Sequence, residues 1–204
     1  MRNIFLVAFV VLLAGCVREQ GQNGGVFLGI GGKKVLMAVA PDNFRDEELF
    51  HTQEELEKAG AEITIASSRT GAIRGSQGGT AEAKILLKDV SPRDYDAVVF
   101  VGGSGASVYF GDAAAHSLAR EMYSAGKVVG AICIAPVILA NAGLLEGKNA
   151  ACFSGEKNSI EAKGANYTGQ GVTIDGKIIT ADGPGSARQF GKKIAELLSQ
   201  VNGP

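Results

Sequence analysis

The sequence predicts an α/β domain of flavodoxin-like build, a three-layer sandwich whose mostly parallel central sheet is covered by helices on both faces. Three observations predict it. Short, nearly all-apolar runs such as Lys33 to Ala40 (KKVLMAVA) and Tyr95 to Val101 (YDAVVFV) read as strands buried on both sides. Between such runs lie stretches of helical length and period, several of them ending on glycine. The two kinds of segment alternate along the chain, a pattern that builds parallel sheets with helical crossovers.

Taken in order, the first strand is Lys33 to Ala40, and a helix over Asp46 to Lys58 follows, with Leu49, Leu56 and Ala59 at helical spacing and Gly60 as its stop. Ala61 to Ala66 (AEITIA) completes a βαβ unit. The Gly-rich, alternating stretch Thr70 to Leu87 reads as a small hairpin excursion. After the strand at Tyr95 to Val101 come a helix over Asp112 to Ala125, a strand over Val128 to Ile132 and a helix over Ala135 to Ala142. Ala150 to Phe153, and Val172 to Thr180 folded about Asp175-Gly176, supply later strands. The last helix, Ser186 to Val201, carries Phe190, Ile194, Leu197 and Val201 on one stripe, the clearest helical period in the chain.

Residues 1–32 are expected to lie outside this domain. Arg2 precedes an unbroken apolar run, Ile4 to Leu13, too short to span a bilayer and laid out like a secretory signal. Leu13-Ala14-Gly15-Cys16 resembles the lipobox of bacterial-type lipoproteins. That resemblance implies a signal peptide over 1–15, a lipidated Cys16, and an exported protein held at an extracytoplasmic membrane face, with acyl chains as the anchor. From Val17 to Gly32 six glycines lie among polar residues, which reads as a tether with a reach of about 20 Å. The globular domain is then 33–204. With net charge −1 and scattered Lys and Arg, the chain has no concentrated basic face for nucleic acid. Setting Cys16 aside leaves Cys133 and Cys152, and a domain of this size can bury a core without joining them.

The strongest site signal is Gly130-Ala131-Ile132-Cys133-Ile134-Ala135-Pro136. A strand runs directly into a cysteine flanked by small residues, the sequence form of a nucleophile elbow with Cys in place of Ser. Such a turn forces Cys133 into a strained conformation, and the following helix N-terminus is expected to lower its thiol pKa. A buried structural cysteine is the open alternative. Gly102-Gly103-Ser104-Gly105 closes the preceding central strand. Val108 stands where a third glycine of a dinucleotide loop belongs, which argues against nucleotide binding. The backbone N–H groups of Gly103 and Ile134, at the ends of neighbouring strands, are expected to face a common oxyanion.

Phe44-Arg45-Asp46-Glu47-Glu48-Leu49, Val101-Gly102-Gly103, Ala131-Ile132-Cys133 with Pro136, and Asp182-Gly183-Pro184-Gly185 together resemble the ThiJ/PfpI family. That family includes the Parkinsonism-associated protein deglycase and the PfpI-type proteases, and its fold resembles class I glutamine amidotransferases. The resemblance covers about Lys33 to the end. It implies that Cys133 is the nucleophile, Glu48 the carboxyl group bonded to its sulfur, and Gly103 the oxyanion-hole glycine. It implies no metal or organic cofactor, and a homodimer. The departures concern histidine. Proteolytic members carry His directly after the nucleophile, where this chain has Ile134. Deglycase-like members carry His on the next strand, where an ungapped count reaches Ser154. They also have Arg before the late Gly-Pro-Gly, where this chain has Asp182. Only His51 and His116 remain, one on the Glu48 helix and the other mid-helix among small residues.

Three functions stay open on these residues. The first is a glyoxalase- or deglycase-like enzyme in which Cys133 adds to a small reactive carbonyl and Glu48 shuttles the proton. The second is a non-catalytic thiol sensor or stress-related binding protein. The third is a PfpI-like peptidase, the least supported because no base adjoins the nucleophile.

Overall fold

A computed structural model describes residues 29–169 and 171–200. The expected signal peptide, Cys16 and most of the tether lie outside these residues. Among the described residues no helix is long and apolar enough to cross a membrane.

In chain order the elements are β1 (Lys34–Ala38), β2 (Asp42–Phe44), α1 (Asp46–Lys58), β3 (Glu62–Ser67), β4 (Gly71–Gly75), β5 (Thr80–Ala83), β6 (Ile85–Leu86), β7 (Ala97–Phe100), α2 (Ala113–Ser124), β8 (Val128–Ile132), α3 (Pro136–Asn141), β9 (Asn149–Ala150), α4 (Lys157–Glu161), β10 (Asn166–Tyr167), β11 (Val172–Asp175), β12 (Ile178–Ala181) and α5 (Ala187–Gln200). Seven strands form the central sheet in the order β11-β12-β8-β7-β1-β3-β6. Every neighbouring pair is parallel except β11 with β12, the hairpin at Asp175-Gly176. This is the flavodoxin-like α/β sandwich that the sequence predicts.

Alternation along each central strand feeds two separate cores. Leu36 and Ala38 of β1 and Val98 and Phe100 of β7 pack with Leu118 and Met122 of α2 and Ile138 and Leu139 of α3. Val35, Met37, Ala97 and Val99 point to the other layer, against Leu49 and Leu56 of α1 and Phe190, Ile194 and Leu198 of α5. Because both faces are buried, the strands carry continuous apolar runs, and this is why they are legible in the sequence.

Packing against the domain includes Ile30, inside the stretch expected to be tether. Ile30 is buried in the core, and its N–H donates to the Ala59 carbonyl at 2.8 Å. The surrounding glycines make Gly29–Gly32 look like tether, yet one isoleucine is enough to dock it against the end of α1. The Thr70 to Leu87 excursion is the hairpin β4–β5, joined by β2 into a separate three-stranded sheet. Asp46, first residue of α1, fixes the tip of that hairpin by accepting the N–H groups of Gln77 (2.8 Å) and Gly79 (2.6 Å). The hairpin is thereby held beside the carboxyl ends of β1, β7 and β8.

Candidate active site

Cys133 follows the last residue of β8 and has φ +64°, one of two non-glycine residues in the left-handed region among those described. A β8 strand and a helix starting at Pro136 leave too few residues for a relaxed turn. The strain, of order 1–3 kcal/mol, is held by the surrounding structure. The Cys133 N–H donates to the Ala181 carbonyl (2.9 Å), and its own carbonyl accepts from Phe153 N–H (2.8 Å). Both neighbouring segments therefore fix the elbow, and the side chain is left half-buried.

Glu48 arrives from the first turn of α1. Arg45 N–H donates to the Gly102 carbonyl (3.1 Å), while Gly102 N–H donates to Glu48 Oε2 (3.0 Å). One glycine at the end of β7 thus docks the helix start and orients the acid. A Cβ built on Gly102 would lie 2.5 Å from Glu48 Oε2 and 2.6 Å from Cys133 Cβ, so both side chains lie directly over it. At Gly103 φ is +90°, and a Cβ there would lie 2.3 Å from Arg45 N. Only glycine allows β7 to end this close to the helix that carries the acid.

The Glu48 side chain is fully buried. Among the described residues its Oε1 is the one buried side-chain polar atom with no hydrogen-bond partner. Burial drives its pKa up to about 7, opposed by the Cys133 thiol and the Gly102 N–H. Burial also pushes the Cys133 thiol up, to about 12, and the neighbouring Glu48 charge adds to that. The backbone N–H groups of Gly103 and Ile134 approach the sulfur and act in the opposite direction, but they are outweighed. Burial thus outweighs the lowering that was expected from the helix start. Two charges side by side away from water are disfavoured, so burial and the facing carboxyl both favour the proton on sulfur, while the raised pKa of Glu48 lets its own proton come and go near pH 7. The helix that was expected to lower the thiol pKa is only six residues long and starts on Pro136, which has no N–H to offer.

A cavity of about 480 Å³ opens onto this pair, lined by Arg45, Glu48, Ser76, Gln77, Gly103, Ser104, Cys133, Ile134, Phe153 and Pro184. Four sequence-predicted residues, Cys133, Glu48, Gly103 and Ile134, are brought together in it. His51 and His116 do not line it, and His116 Nε2 is engaged with the Phe110 carbonyl at 3.0 Å. Ser154 does not line it either; its neighbour Phe153 does. Asp182 also stands outside the lining and accepts the Ser186 hydroxyl at 2.5 Å. The sequence reading missed Ser76 and Gln77, which come from the hairpin tip, and Phe153. Nothing in their local pattern marks them, because they reach the cavity only through the Asp46 clamp and the Cys133–Phe153 bond. Among the described residues no cluster of His, Cys, Asp and Glu is arranged to hold a metal ion. Cys133 and Cys152 are both free thiols.

Residues 33–197 match the model of the DJ-1/PfpI family. An uncharacterized protein of Methanocaldococcus jannaschii is 35% identical over 202 residues, covering 98% of this chain and 97% of that one. A deglycase of Pyrococcus horikoshii is 32% identical, covering 81% of this chain and 99% of its own length. A glutathione-independent glyoxalase of Caenorhabditis elegans is 28% identical, over 81% and 89%. Among solved structures, a ThiJ/PfpI domain protein of Brachyspira murdochii superposes with a TM-score of 0.81 at 33% identity, over 83% of this chain and 99% of that one.

Proposed function

Because this chain belongs to the DJ-1/PfpI family, we propose that it is a cysteine-dependent enzyme of deglycase or glyoxalase type that acts on small reactive carbonyl compounds. The observation that carries the reading is the unpartnered Glu48 oxygen, buried beside the Cys133 thiol on a strained elbow. A carboxylate whose pKa is near 7 is matched to taking and returning a proton at neutral pH. The names of the Pyrococcus and Caenorhabditis relatives support the same chemistry.

In this mechanism the Cys133 sulfur attacks the carbonyl carbon of an aldehyde. The S–H bond breaks, its proton passes to Glu48, and an S–C bond forms. The former carbonyl oxygen gains the electron pair and is met by the N–H groups of Gly103 and Ile134, then receives the proton from Glu48 to give a hemithioacetal. No second base is drawn on, in keeping with two histidines that stand outside the cavity. The chain is also proposed to act at a membrane through lipid on Cys16. Metabolic labelling with a fatty-acid analogue, lost in Cys16→Ser, tests that part.

The catalytic reading is tested by steady-state consumption of methylglyoxal by the full chain. Turnover that is abolished in Cys133→Ser, and that rises with pH through about 7 as Glu48 ionises, is expected. Consumption equal to that of Cys133→Ser at every pH would contradict it.

A further inference from the structure

We infer that the cavity contains an apolar subsite, walled by Phe153, that selects neutral carbonyl substrates carrying an aryl or similarly bulky apolar group. The substrate class deepens the enzymatic reading above, and only its turnover arm rests on that reading.

Phe153 is 49% exposed, one of three large apolar side chains so exposed among the described residues, and the one of the three that lines the cavity. It is not a loose surface residue. Its N–H donates to the carbonyl of Cys133 itself, which fixes its distance from the nucleophile. One edge of its ring sits against Gly155, where a Cβ would come within 2.7 Å of Phe153 Cε1, so the glycine leaves room for the ring beside the chain. Ile134 and Pro184 extend the same wall. A solvent-exposed aromatic ring held this firmly at the mouth of a site is apolar area that a ligand can cover.

Charge narrows the class further. The Arg45 guanidinium, which also lines the cavity, is already paired twice with Glu47, Nε to Oε2 at 2.7 Å and Nη2 to Oε1 at 3.2 Å. Glu48 also lines the cavity. An anionic substrate would meet an arginine already engaged by Glu47 and the Glu48 acid, so the arrangement suits a neutral molecule with its carbonyl on the Cys133 side and its apolar group on Phe153. At about 480 Å³ the cavity has room well beyond a two- or three-carbon aldehyde.

The test compares phenylglyoxal with methylglyoxal as substrates of the full chain, alongside protection of Cys133 from iodoacetamide by benzaldehyde against acetaldehyde. The expected result is a preference for the aryl compound of about tenfold or more in both arms, carried by KM in the turnover arm. Phe153→Ala should reduce that preference to about threefold or less, and Phe153→Leu should restore part of it. Equal treatment of the aryl and small compounds by the unmodified chain, or a preference unchanged in Phe153→Ala, overturns the subsite. If neither dicarbonyl is consumed but benzaldehyde still protects Cys133 through Phe153, the subsite stands and the enzymatic reading falls. If benzaldehyde gives no selective protection, the subsite falls whatever the turnover.

Discussion

The turn that carries Cys133 and the segment that carries Cys152 lie side by side, joined by the bond from Phe153 N–H to the Cys133 carbonyl, yet they treat a thiol in different ways. Cys152 is fully buried in the core that α2 and α3 cover, without the left-handed backbone of Cys133, and burial pushes its thiol up to about 12. Cys133 is pushed to about the same value, also chiefly by burial. A raised thiol pKa therefore does not separate a structural cysteine from a candidate nucleophile here. What separates them is the company. Cys133 has an open cavity on one side, two backbone N–H groups near the sulfur, and a carboxylate titrating near 7 that is ready to accept its proton. Cys152 has apolar neighbours, and the acids that act on it, Glu156 and Glu161, are only distant charges.

Swapping each sulfur for oxygen should give the largest contrast. Cys133→Ser is expected to remove carbonyl turnover while leaving stability close to that of the parent, since its side chain already faces a cavity. Cys152→Ser should keep turnover and lose about 1–3 kcal/mol of stability, because a hydroxyl enters an apolar core without a partner. Kinetics and thermal denaturation of both variants check this; a Cys152→Ser loss of activity well below its melting temperature would break the comparison.

Glu48→Gln comes next. Turnover should fall by about 10²–10⁴-fold with the loss of the proton carrier. Stability should move the other way, with a definite pH dependence. A carboxyl whose folded pKa is raised from 4.5 to about 7 contributes its stabilisation fully below 4.5 and loses it as pH rises through 7. Ionised Glu48 therefore costs the fold about 3 kcal/mol in alkaline solution relative to acid. Melting curves should show the variant gaining several degrees over the parent near pH 8 and little near pH 5. An equal shift at both pH values would show that Glu48 is not held protonated by burial.

The smallest effect concerns the elbow. Cys133→Gly should be more stable than Cys133→Ala by about 1 kcal/mol, because glycine relieves the left-handed backbone while both variants lack the sulfur. Chemical denaturation of the pair reads the difference directly, and alanine as the more stable of the two would mean that the turn is not strained.

The strained turn at Cys133 was legible because small neighbours and a strand–helix boundary leave local marks, from Gly130 to Pro136. The seven-stranded core was legible for a similar reason, since double burial writes an apolar run into each central strand. Glu48 was reachable only by resemblance. Asp46, Glu47 and Glu48 are three acids in a row, and the sequence does not say that one clamps a hairpin tip, one pairs with Arg45 and one enters the site. Phe153, Ser76 and Gln77 stayed hidden because their placement comes from contacts far along the chain. The direction of the thiol's shift stayed hidden for a related reason. A helix start is visible in the residues, but the burial and the facing charge that outweigh it exist only after folding.

The account turns on where the proton of the Cys133–Glu48 pair resides at rest. Ultraviolet thiolate absorbance, titrated for the parent and subtracted against Cys133→Ser, measures this for the one sulfur. The account predicts no Cys133 thiolate below the ordinary thiol value of about 8.5, with the onset moving to lower pH in Glu48→Gln. A thiolate already formed in the parent at pH 7 or below would contradict it.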